Sequence, residues 1–167
     1  PIAALEFVGV IVNAMVFGPM LAGAPTTLVV DALVVVYVIG GRAKSQLMQH
    51  LHMILLARAE YTLMRDGDLC ITHEYGPKNI ITDRGSRGDL KVMTQVMVAL
   101  KMDPIWVDIP VDQVDIILNN ATDLWLALSE DERNLELDMI QANSMRNGGT
   151  PPLTYGGEPE EAIRHHN

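Results

Sequence analysis

The order of apolar and polar positions sets the expected elements. Residues 1–21 read as a helix, because Leu5, Val8, Val12, Met15 and Val16 recur at helical spacing around Glu6. Gly18-Pro19 and then Ala22-Gly23-Ala24-Pro25 break the pattern. Thr26 to Val30 is rich in β-branched residues and bounded by Pro25 and Asp31, which predicts a buried strand. Residues 32–39 are apolar throughout, and so short a run has no period that decides between strand and helix. Gly40-Gly41 ends it. Ser45 is an N-cap candidate for one long helix over about 46–64, with Leu47, Leu51, Ile54, Leu55 and Arg58 in register.

Asp66-Gly67-Asp68 reads as a turn into a short strand, Leu69 to Thr72. Glu74 to Lys78 reads as a loop, and Asn79 as a cap for a turn of helix that carries Asp83. After Gly88 the character changes. Leu90 to Lys101 is amphipathic, Met102 to Pro110 is an interrupted connector, and Val111 to Leu128 is helical. Ser129 with Glu132 three residues on is a capping box, opening a helix to about Met145. From Asn147 onward glycine, proline and charge dominate, which predicts a loose tail over 147–167. The expected division is 1–89 as an α/β domain, 90–146 as an acidic helical extension, and the tail.

Composition adds two constraints. Nearly half of the residues are apolar, at 49%, so the chain buries a core instead of staying disordered. Cys70 is the single cysteine, so an internal disulfide and a multi-cysteine zinc site are excluded, in keeping with a reducing, intracellular compartment. No basic residue precedes the first apolar stretch and no cleavage pattern follows it, so no secretory signal is read. Residues 7–22 and 28–40 are apolar enough to raise a membrane hairpin, but the second is short for a span and Asp31 falls within it.

Net charge is −9, which opposes a protein that coats nucleic acid. The acidity is uneven. Residues 1–90 hold eight acids against seven bases, whereas residues 91–167 hold thirteen against five. The front half is therefore close to neutral.

Three acids in that front half stand out by position. Glu6 interrupts an apolar helix, Asp31 follows the Thr26–Val30 strand, and Asp83 opens or precedes a helix. Acids among apolar neighbours are costly to bury unless they are paired or bind a cation. Carboxylates at strand ends and helix starts are also where a hard cation finds oxygen ligands. The local alternative is an ordinary capping or first-turn role for each of them. His50 and His52 stand two apart and do not share a helical face, so they are not read as a metal pair.

These acids lie in three ordered segments: LEFVGVIVNAMVFGPMLAG, TTLVVDALVVVYVIGGRAKSQLMQHLHMILL and ITHEYGPKNIITDRGSRGD. Together the segments resemble the ribonuclease H domain of tyrosine-recombinase-type and related retroelement reverse transcriptases. In that family a helix opens with Leu-Glu, here Leu5-Glu6, and a strand ends in Thr-Asp-Asn, here Val30-Asp31-Ala32. A glycine and a Lys-Ser or Arg-Ser pair introduce the next helix, here Gly41 and Lys44-Ser45. Last comes a block close to His-x-Pro-Gly-x-x-Asn-x-x-Ala-Asp-x-x-Ser-Arg, matched here by His73, Asn79, Asp83, Ser86 and Arg87. Ala32, Tyr75 and Thr82 depart from the pattern.

The resemblance spans residues 6–87, about half of the chain. It implies a ribonuclease-H-like mixed sheet flanked by helices, and Glu6, Asp31 and Asp83 as ligands of Mg²⁺ (or Mn²⁺). It also implies cleavage of the RNA strand of an RNA–DNA hybrid, with Arg42, Lys44, Arg84 and Arg87 near the hybrid's phosphates. The family's first aspartate and its N-terminal strands lie upstream of the Leu-Glu helix, which implies a site completed by a preceding reverse transcriptase segment or a second copy. The alternative expectation is a remnant that no longer cleaves and serves as a structural or protein-interaction module.

Overall fold

A computed structural model describes residues 1–74, 80–103, 105–144 and 153–154. The Asn79 cap and most of the Glu74–Lys78 loop and of the 147–167 tail lie outside them. The chain forms two compact units, one of residues 1–73 with 109–167 and the other of residues 74–108. The stretch 90–146 is thus divided between them.

The first unit opens with helix α1 (Ile2–Phe17), followed by strand β1 (Thr26–Val30) and helix α2 (Leu33–Ile39). Helices α3 (Gln46–Leu56) and α4 (Ala59–Arg65) lead to strand β2 (Leu69–His73). β1 and β2 pair in parallel, with Thr26 opposite Leu69 and Val30 opposite His73. The antiparallel strand β3 (Leu153–Thr154) pairs with Cys70 and Ile71 on the far edge of β2. An α/β arrangement with neighbouring parallel strands is thus present. The long apolar stretch resolves as helix, strand and short helix, and among the described residues no helix is long and apolar enough to cross a membrane.

Packing overturns the sequence expectation at one place and decides two others that the pattern left open. α1 is apolar on almost every side, so its period does not choose a face. The buried residues are Ala4, Phe7, Val8, Val10, Ile11, Ala14 and Met15, while Leu5 stands in solvent. α2 takes the helical option for residues 33–39: Val34 to Ile39 are all buried, and the helix lies against both β1 and β2. The helix expected over 46–64 is broken. Arg58 adopts extended backbone between α3 and α4, where its guanidinium donates to Gln113 Oε1 at 2.8 Å and pairs with Glu60 at 3.5 Å. No glycine or proline causes the break. Instead it re-aims α4 so that Tyr61 and Met64 join the core beside Leu47, Met48, Leu51 and Leu55 of α3. Tertiary packing outweighs helix propensity here, since propensity differences are only tenths of a kcal/mol per residue, about 0.7 at most for ordinary residues.

Helices α7 (Val111–Ala127) and α8 (Glu130–Ser144) complete this unit. α7 packs on α1 and α3 and buries Ile117, and α8 covers α2 and buries Ile140. The Ser129 capping box is formed. Its N–H donates to Glu132 Oε2 at 2.7 Å, and Glu132 N–H returns a bond to Ser129 Oγ at 3.3 Å. In the second unit α5 (Ile80–Ser86) packs on α6 (Leu90–Ala99), whose first turn is capped by Asp89 accepting from Val92 N–H at 3.3 Å.

Candidate functional site

The parallel pair positions the candidate site. Asp31 leaves the carboxyl end of β1, and His73 ends β2 one register step away, opposite Val30. Open parallel sheets bind ligands at this end of their strands, where loops and helix starts converge. Asp31 is exposed, one residue before Ala32, the N-cap position of α2. Glu6 reaches the same place from the first turns of α1. Its Oε2 is buried without a hydrogen-bond partner among the described residues.

Electrostatics ties these three residues together. The Glu6 carboxyl is pushed above its ordinary range, first by burial, then by the negative charge of Asp31, with His73 pulling the other way. A half-buried acid that faces a second acid and lacks a donor is strained toward a proton or a cation. The structure therefore brings Glu6, Asp31 and His73 into one electrostatic neighbourhood.

Asp83 belongs to the second unit, on α5. Its Oδ1 accepts from Arg87 Nε at 3.0 Å, with Arg87 Nη2 also at 3.0 Å, an i,i+4 pair. Arg84 stands 3.8 Å from Asp89. The two arginines expected at a hybrid's phosphates are thus each beside an acid of their own unit. In the first unit Arg42 and Lys44 are both exposed on the loop between α2 and α3, and the Arg42 guanidinium stacks over the Tyr37 ring at 5.8 Å. Among the described residues no three His, Cys, Asp or Glu side chains lie close enough to share one metal ion. Of the three expected carboxylates, Glu6 and Asp31 lie in the first unit and Asp83 in the second.

The burial of two polar groups is not read from the sequence. Glu136 of α8 is buried, and its carboxylate accepts from the Ser45 hydroxyl, from Gln46 N–H at 2.8 Å and from Leu47 N–H at 3.3 Å. Ser45 Oγ in turn accepts from Met48 N–H at 3.2 Å. A carboxylate from a distant helix therefore completes the N-terminal cap of α3. The available signal was its place four residues before Ile140, on the face that α8 buries. The second is His52, whose Nε2 is buried without a partner among the described residues and whose ring meets the Phe7 edge at 6.3 Å. Burial first, and then the charge of Arg65, push its pKa down.

An apolar cleft of about 160 Å³ opens between α1, α3 and α7, lined by Leu5, Val8, Leu47, Leu118 and Trp125 among others. No carboxylate lines it. No family model, curated protein or solved structure matches the chain.

Proposed function

We propose that residues 1–89 are ribonuclease-H-like, derived from a retroelement reverse transcriptase, and that Glu6 and Asp31 are metal-binding carboxylates of its site. The activity is cleavage of the RNA strand of an RNA–DNA hybrid in the presence of Mg²⁺ or Mn²⁺. The observation that carries the reading is the Glu6–Asp31 encounter at the carboxyl end of two parallel strands: a buried, donorless Glu6 oxygen in the field of a second carboxylate. A bound divalent cation supplies charge to activate water and to stabilise the leaving oxygen of a phosphodiester. In this chain Glu6 and Asp31 fix oxygen donors at that place. Arg42 and Lys44 offer exposed positive charge for the backbone phosphates. Contacts to the 2′-hydroxyl select RNA over DNA.

A second reading is favoured by a specific observation. The absence of a three-ligand group among the described residues, and the pairing of Arg87 with Asp83, suit a remnant that keeps the fold as an interaction module. A labelled hybrid decides between the two. The chain is incubated with it in Mg²⁺ and in Mn²⁺, at low and at high chain concentration, beside Asp31→Asn. The nuclease reading expects metal-dependent cutting that falls about a hundredfold or more in Asp31→Asn, as loss of a group acting in the transition state does. No cutting under any of these conditions leaves the remnant.

A further inference from the structure

The cleft between α1, α3 and α7 belongs wholly to the first unit and is independent of the nuclease reading. On α7, Leu118, Ala121, Thr122 and Trp125 recur at helical spacing and so form one stripe of the helix, which lines the cleft. Ala4 and Val8 of α1, both buried, line it from the other side. Alanine at positions 4 and 121 leaves room that larger side chains would take in a close-packed interior. Filling such a space ordinarily stabilises a fold, and the recurrent cost of doing so is lost function.

Volume and lining select the ligand. The cleft holds about 160 Å³, close to the cavity of about 150 Å³, lined by Leu, Ile and Phe, that stays dry and takes benzene. It is smaller than the roughly 300–1,000 Å³ of sites for drug-sized ligands. Among the described residues no charged side chain lines it, and the Thr122 hydroxyl is the polar side-chain group that does. A charged ligand would lose water there without gaining a partner. A peptide would bring backbone N–H and C=O groups that the cleft does not satisfy. A neutral ring carries neither penalty, displaces weakly held water and packs against the Trp125 ring. We propose that this cleft binds a free, neutral aromatic compound of about six to nine ring atoms, from benzene-sized to indole-sized.

Fluorine nuclear magnetic resonance of 5-fluoroindole, titrated with the full chain, tests this directly. The expected result is saturable line broadening with a Kd of about 1 mM or tighter. N-acetyltryptophanamide adds two amides to the same ring, and indole-3-acetate adds a charge. Each should displace the probe at least about threefold more weakly than indole does. Ala121→Leu should weaken probe binding by about tenfold or more while melting no lower than the parent. Leu118→Ala enlarges the cleft and should bind 2-naphthol at least about threefold tighter than the parent does, which keeps the test open if the filled variant fails to fold. Met53→Ala, at an exposed apolar residue of α3 outside the lining, should leave binding unchanged. Absence of saturable binding up to the solubility of the probe overturns the proposal, as does binding indifferent to both Ala121→Leu and Leu118→Ala. Tighter binding of N-acetyltryptophanamide than of indole also overturns it, because the cleft would then belong to a side chain of a partner protein.

Discussion

Replacing Glu136 with alanine gives the sharpest test of how the first unit is held together. The carboxylate accepts three hydrogen bonds at the start of α3, from the Ser45 hydroxyl and the Gln46 and Leu47 amides. A hydrogen bond to a charged group contributes about 1.5–3 kcal/mol net, and a buried donor left without a partner costs about 1–3 kcal/mol. Gln46 is exposed enough to turn to water, so the loss falls chiefly on Ser45 and Leu47, which are buried. Relief from desolvating a carboxylate offsets part of this. The net expectation is about 2–4 kcal/mol of destabilisation, which at a typical urea slope moves the midpoint down by about 1–2 M. Glu136→Gln keeps one acceptor oxygen but turns an NH₂ toward amide donors, and should cost about 1–2 kcal/mol. Asp138→Asn, on the exposed side of α8, should stay within about 0.5 kcal/mol. Urea titrations followed by far-ultraviolet circular dichroism read all three. A double-mutant cycle with Ser45→Ala should return about 1 kcal/mol or more of coupling. If Glu136→Ala unfolds within about 0.5 kcal/mol of the parent, the carboxylate does not support the cap.

Two further expectations follow from the same structure. The Glu6 pKa is raised in the fold, so the native state holds its proton to higher pH than the unfolded chain. Stability from this group is full below the ordinary carboxyl value of 4.5 and declines as pH rises through the raised value. Glu6→Gln should therefore stabilise the protein at neutral pH and lose that advantage in acid, as read by thermal melts across pH. An advantage that is equal at all pH values would refute the electrostatic account. Lys101→Gly should stabilise the second unit by about 0.5–1 kcal/mol, because glycine takes the left-handed position that closes α6 without a Cβ penalty. Hydrogen exchange of the α6 amides measures it, and slower exchange is the expected result.

Short-range chemistry was legible in the sequence. The bounds of β1, the Ser45 cap and the Ser129–Glu132 box each depend on residues within four or five positions of one another. The parallel pairing of β1 with β2 follows from a strand, helical crossover and strand in that order. What the sequence left open depends on distant partners. The choice of helix for residues 33–39 comes from burial on every side, and the break at Arg58 from Gln113 on a helix that follows much later. The buried face of α1 was not legible, because a helix apolar all round carries no phase: Leu5 stands in solvent and Phe7 is fully buried. Glu6 and Asp31 could be singled out as acids in apolar settings, yet their encounter needed the fold.

The Glu136 cap also has a consequence in time. Ser45 and Glu136 are separated by 91 residues, so α3 leaves the ribosome long before its capping carboxylate exists. At about 5–20 residues per second of synthesis, the gap is roughly 5–18 s. Throughout that interval α2 lacks α8, the helix that covers it, and its valine-rich surface is open to chaperones or to other nascent chains. Helix α8 thus acts as the step that commits the nascent chain to its fold, and ribosomes stalled before residue 136 should display a segment that binds chaperone.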